Sequence, residues 1–143
     1  MELKEYTFDE LRIGQKEAFE VVITSEMEEG FRRITGDINP MHIDDEFARN
    51  MSGGKYTSHI AFGMLTASFI STLAGVYLPG KYSLIHSVEI GFAKPVFAQD
   101  ILTVSGEITD KQEDLKLIVV TVRIKNQNGK TVLKGTMKNI LQK

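Results

Sequence analysis

The chain has no cysteine, which excludes thiol catalysis, Cys-based zinc sites and a disulfide framework. Proline is scarce at 3 residues. No proline- or serine-rich linker, low-complexity tract or internal repeat divides the chain, so residues 1–143 are expected to form one domain. An excess of one charge is missing too. Lys+Arg total 17 against 19 Asp+Glu, a formal net charge of -2, and no basic surplus points to nucleic acid or an anionic membrane. The first residues, Met-Glu-Leu-Lys-Glu-Tyr, carry acidic groups and no apolar core, unlike a secretory signal, and a cytoplasmic location is expected. The longest nearly apolar run, 60–78, approaches the ~20 residues of a membrane span. It is interrupted by Thr66, Ser68, Ser71, Thr72 and glycines and lacks flanking basic anchors, so it reads as a buried core helix.

What is present is an ordinary globular composition, 42% hydrophobic and 25% charged over 143 residues, enough chain to bury a core without staples. Phe19, Val21 and Ile23 alternate as a strand over 18–24 requires. A helix follows, with Ser25 and Glu28 as a capping box, Met27, Phe31 and Ile34 on one face, and Gly36 as a left-handed cap. Glu26, Glu28, Glu29, Arg32 and Arg33 read as its solvated face. Pro40 makes 37–42 an ordered loop, a short helix is expected around 44–48, and 51–55 reads as a turn or mobile flap. Ser58 is the expected cap of an enclosed helix over 59–73. Beyond it, Val88, Ile90 and Phe92 alternate, with Pro95 ending their strand. Leu102, Val104 and Ile108 mark another strand, Ile118 to Ile124 a third, and Asn128-Gly129 predicts a type I′ turn into a last strand over 131–141. The pattern is α+β: a curved antiparallel sheet wrapped around a buried helix.

The segment with chemical content is 35–44. Asp37 and His42, separated by a proline-stiffened loop, can converge on one water molecule, and acid–base catalysis needs such a pair. Residue types alone leave open a plainer role, with Asp37 capping a turn and His42 packing against the loop. His59 and His86 are too dispersed to suggest a metal cluster, and no metal is expected.

The pattern Gly36-Asp37-x-Asn39-Pro40-x-His42-x-Asp44, then Phe47-Ala48, Phe62-Gly63-Met64-Leu65, Leu78-Pro79-Gly80 and Phe92-Ala93-Lys94-Pro95-Val96, resembles the MaoC-like hydratases and dehydratases. These hotdog-fold proteins include the (R)-specific enoyl-CoA hydratases. The resemblance spans about residue 31 to the C-terminus. It implies that Asp37 and His42 activate the water added to a 2-enoyl thioester or removed from a 3-hydroxyacyl thioester. It further implies a small polar side chain at Ser71, eight residues after Gly63, to shape the site, although that hydroxyl can equally bond the preceding helical turn.

Asn39, Phe62, Gly63, Met64 and Ser71 form the expected substrate-binding set, with Asn39 orienting the loop or a catalytic neighbour or simply forming the turn. Backbone N–H groups near Gly63 are expected to stabilise charge on the thioester oxygen. Lys55, Lys81 and Lys94 are candidates for the phosphates of coenzyme A, against the ordinary reading of exposed lysines. No cofactor is expected beyond coenzyme A as part of the substrate. The family implies at least a homodimer, with coenzyme A bound partly by the partner chain. One departure stands out: many members carry His immediately before the Gly-Met-Leu segment, where this chain has Phe62. His59, three residues earlier, is a candidate to compensate, or else a surface or capping residue. Alternatives on the same fold are a 3-hydroxyacyl-carrier-protein dehydratase, a thioesterase and a non-catalytic acyl-thioester-binding module.

Overall fold

The computed structural model describes residues 2–143. Its strands are β1 (Lys16–Val22), β2 (Ser83–Phe92), β3 (Ile101–Gln112), β4 (Leu117–Lys125) and β5 (Thr131–Leu141), and its helices are α1 (Ser25–Thr35), α2 (Asp45–Met51) and α3 (Gly63–Thr72). The strands form one sheet in the order β1-β3-β4-β5-β2, every neighbouring pair antiparallel. In β4 the inward set Val120, Val122 and Ile124 is fully buried while Thr121, Arg123 and Lys125 face water, so a period-2 pattern fixes which face meets the core. Leu102, Val104 and Ile108 of β3 and Leu133 and Met137 of β5 extend that face. Against it lie Leu65 and Ile70 of α3 and Leu73 and Ala74 of the π-helical turn that continues α3 through Tyr77. The sheet curves around this central helix in the hotdog arrangement.

Several local expectations are revised. β1 begins two residues earlier than the apolar pattern indicates. Its helix is capped by Thr24, whose side chain accepts the Met27 N–H at 3.1 Å, rather than by Ser25. Gly36 does close α1 in the left-handed region, at φ 74°. Ile34, placed by periodicity on the inner face, is 85% exposed, whereas Glu28, placed on the solvated face, is 7% exposed. The turn after β4 is not type I′: only Gly129 of the Asn128-Gly129 pair has positive φ, and Asn126 closes the loop through its own backbone and side chain.

The largest revision concerns α3, which starts at Gly63 and not at 59. The preceding residues are extended because their backbone groups are taken elsewhere: Ile60 N–H donates to the Met41 carbonyl at 2.9 Å and Ala61 N–H to the Val96 carbonyl at 2.7 Å. Nor is α3 enclosed all round. Leu65, Thr66, Ala67 and Ile70 are buried, but Met64 is 61% exposed and Ser68 and Ser71 lie on the same open side. Beyond that side stands β2, an edge strand whose Leu84, Ile85, Val88 and Phe92 are all exposed. Among the described residues, no helix is long and apolar enough to cross a membrane.

Candidate active site

The end of α1 begins a chain of short side-chain-to-backbone bonds that shapes the loop. Thr35 Oγ1 accepts the Asp37 N–H at 3.2 Å, Asp37 Oδ1 accepts the Asn39 N–H at 3.0 Å, and Asn39 Oδ1 accepts the Met41 N–H at 3.0 Å. Asp and Asn favour such turns because their side chains mimic a backbone carbonyl two residues on. Pro40 opens the 3-10 turn Pro40–His42, which ends on the imidazole. One oxygen of Asp37 is thus committed to the loop, and among the described residues Oδ2 has no hydrogen-bond partner.

His42 Nδ1 lies 2.7 Å from the Ile60 carbonyl. A carbonyl can only accept, so Nδ1 carries the proton and Nε2 is the free nitrogen of the neutral ring. The ring packs against Phe62 at a centroid distance of 4.6 Å, and Phe62 packs in turn on Phe31 at 5.0 Å. Asp37 and His42 open onto one cavity of about 770 Å³, bounded by Phe31, Thr35, Phe62 and the first residues of α3 on one side and by Ile85, Val88, Ile90 and Phe92 of β2 on the other. A carboxylate, an imidazole and the hydroxyls of Thr35, Ser68 and Ser71 set in a mostly apolar wall are what a small-molecule site requires.

Of the expected binding residues, Phe62, Gly63, Met64 and Ser71 line this cavity. Asn39 does not, because its side chain is spent on Met41. Phe62 provides no side-chain cap, so the first N–H groups of α3 stand at the cavity without a helical acceptor. The bare Cα of Gly63 faces the Phe92 ring, which would lie 3.1 Å from a Cβ at that position. Ser68, not Ser71, bonds back to its own helix, donating to the Leu65 carbonyl at 2.6 Å. A smaller cavity of about 260 Å³ lies on the other side of His42 and Gly63, with Lys94 on its wall and the buried Thr66 hydroxyl, which has no hydrogen-bond partner, among its lining groups. Lys81 is paired with Glu5 at 2.9 Å, and Lys55 lies over the Tyr56 ring.

His59 does not reach the large cavity. It lies between Asp45 at 2.7 Å and Glu28 at 2.8 Å, an arrangement that the single-residue reading of His59 and the solvated reading of Glu28 both missed. Burial works against the charged ring, but the hydrogen bond to Asp45 and the charge and hydrogen bond of Glu28 outweigh it, raising the His59 pKa above the ordinary 6.5. The His59 main-chain N–H, then its ring, hold the Asp45 carboxyl below its ordinary 3.8. The folded protein therefore binds the His59 proton more tightly than the unfolded chain does. That contribution to stability is full below about pH 6.5 and is lost as pH rises through the raised folded value. The Asp45 contribution is full above about pH 3.9 and is lost as pH falls through its depressed folded value. The Tm difference between wild type and His59→Gln is accordingly expected to be greatest between these limits and to shrink on either side, as thermal unfolding at stepped pH would measure.

Fold and site together define a hotdog domain that presents a carboxylate and an imidazole to an apolar cavity at the start of its central helix. The family model for the MaoC like domain matches residues 10–130, and the chain belongs to that family. The (R)-specific enoyl-CoA hydratase of Aeromonas caviae is 34% identical over 125 residues, covering 87% of this chain and 91% of that protein. The 3-hydroxybutyryl-CoA dehydratase of Methylorubrum extorquens is 36% identical over 109 residues, 76% of this chain and 68% of that one. The unliganded structure of an R-hydratase from Pseudomonas aeruginosa superposes with a TM-score of 0.85 at 29% identity, covering 94% of this chain and 84% of that chain.

Proposed function

We propose that the protein is a hydro-lyase that hydrates 2-enoyl-CoA to (R)-3-hydroxyacyl-CoA. The observation that carries this reading is the opening of Asp37 and His42, the latter with Nδ1 engaged and Nε2 free, onto one apolar cavity at the start of α3. Water adds its oxygen to C3 and a proton goes to C2 on the same face of the double bond. Asp37 and His42 together take a proton from the water and return one to C2. Charge built on the thioester oxygen meets the first N–H groups of α3, where the helix dipole adds to the hydrogen bonds. Asn39 holds the loop that aims both groups, while Phe62, Met64 and Ser71 shape the acyl site. Phe62 gives that wall an apolar face.

No cofactor takes part in this scheme, and coenzyme A enters as part of the substrate. Residues 1–143 act as one domain. Coenzyme A thioesters are intracellular metabolites, which supports a cytoplasmic site of action. The exposed apolar side chains of edge strand β2 support pairing with a second copy into a homodimer.

Hydration of crotonyl-CoA, followed as loss of the conjugated-thioester absorbance with chiral analysis of the product, tests the proposal. (R)-3-hydroxybutyryl-CoA is the expected product. Release of free thiol would mark a thioesterase instead. A panel of longer enoyl-CoA and carrier-bound substrates that bind without reacting would make the protein a binding module.

A further inference from the structure

Three titratable side chains behind the cavity take no part in the chemistry above. Glu28 comes from α1, Asp45 from the first turn of α2, and His59 from the extended segment that leads into α3. His59 Nδ1 meets Asp45 Oδ1 at 2.7 Å and Nε2 meets Glu28 Oε2 at 2.8 Å. The same Asp45 oxygen accepts the His59 main-chain N–H at 2.8 Å. Ionised carboxylates only accept, so both ring nitrogens must donate. A neutral imidazole has a single N–H and would turn a lone pair toward one of the two carboxylates. The geometry therefore calls for an imidazolium, and its two charge-assisted bonds are stronger than neutral ones. The other charged groups at hand are Glu29 and Arg32 of α1, which line the same depression with His42, and Arg49 of α2 beside Asp45.

The residue after His59 connects this clamp to the cavity. Ile60 donates its N–H to the Met41 carbonyl at 2.9 Å and offers its own carbonyl to His42 Nδ1 at 2.7 Å. Among the described residues it is the one hydrogen-bond partner of the His42 ring, and as an acceptor it places the proton on Nδ1. We propose that His59 is a positioning residue: clamped as an imidazolium between Glu28 and Asp45, it holds the Ile60 carbonyl against His42 Nδ1 and so keeps Nε2 the unprotonated nitrogen. Its catalytic consequence rests on the hydratase reading; its geometry does not. Substituting His59 removes the two ring anchors and leaves the segment held only by the main-chain N–H groups of residues 59, 60 and 61, and displacement of a catalytic group by about 1 Å can cost up to about a hundredfold in rate.

The test compares wild type, His59→Gln and Glu28→Gln by nitrogen NMR of ¹⁵N-histidine-labelled protein and by crotonyl-CoA kinetics. Wild type should show His42 in the single Nδ1–H form. Both variants should show mixed tautomers, with kcat reduced roughly tenfold to a hundredfold and KM little changed. A role confined to stability would lower Tm and leave the His42 tautomer as it is. An unchanged His42 tautomer in the folded variants therefore overturns the proposal, whatever happens to Tm. Should His59→Gln fail to fold, Glu28→Gln, which removes the carboxylate charge that calls for the imidazolium while keeping a side chain of the same size, decides the question. If wild type hydrates no thioester, the hydratase reading falls while the tautomer comparison still judges the clamp.

Discussion

Asp37→Asn is expected to lower kcat for enoyl-CoA hydration by ~10²–10⁴-fold, the usual contribution of a proton-transfer group, without loss of fold. The amide keeps an oxygen that can accept the Asn39 N–H, so the turn survives. What disappears is one of the two groups proposed to move the protons. His42→Ala should fall in the same range, for it removes the free Nε2 while leaving the apolar packing of Phe62 on Phe31 in place. Far-UV circular dichroism establishes folding, and single-turnover kinetics read the chemical step. Both variants retaining more than a tenth of wild-type activity would remove Asp37 and His42 from the mechanism.

Gly135→Ala is expected to cost about 1–3 kcal/mol of stability, the usual penalty for overpacking, seen as a fall in Tm of roughly 4–12 °C. Gly135 of β5 pairs with Ile90 of β2. A Cβ there would collide with the Glu89 carbonyl oxygen and lie 2.7 Å from Ile90 Cγ2 and 2.9 Å from Ile90 Cα. Two of these atoms belong to backbone, which cannot swing away as a flexible side chain can. Relief requires β2 to move off β5, and β2 carries the Ile85, Val88 and Ile90 wall of the cavity. Affinity for enoyl-CoA should therefore weaken along with Tm. A variant with unchanged Tm and KM would mean that β2 and β5 are not packed this closely.

The two sites differ in how far they could be read from residue order. The Asp37 to His42 loop is legible because its bonds are local: Thr35, Asp37 and Asn39 each close onto a backbone group two residues on. The Glu28–Asp45–His59 clamp is not legible, since its members are 31 and 14 residues apart and no spacing rule joins them. Glu28 sits among charged neighbours that suggest a wet helix face, and only the approach of the His59 segment buries it. The false start of α3 at 59 has the same origin. An apolar run without a strong breaker looks helical, but Met41 and Val96, distant in sequence, capture the backbone of Ile60 and Ala61.

By itself the sequence determined the strands, the order of sheet and helix, the left-handed close of α1 and the loop bearing Asp37 and His42. These follow from side-chain period and short-range hydrogen bonding, which act between neighbours along the chain. Only the tertiary structure decided where α3 begins, which side of it stays open, that β2 turns apolar residues toward the cavity, and that the Ile60 carbonyl selects the His42 tautomer. Each of those depends on backbone groups and charges brought together across the fold, where burial and competition for hydrogen-bond partners outweigh local preference.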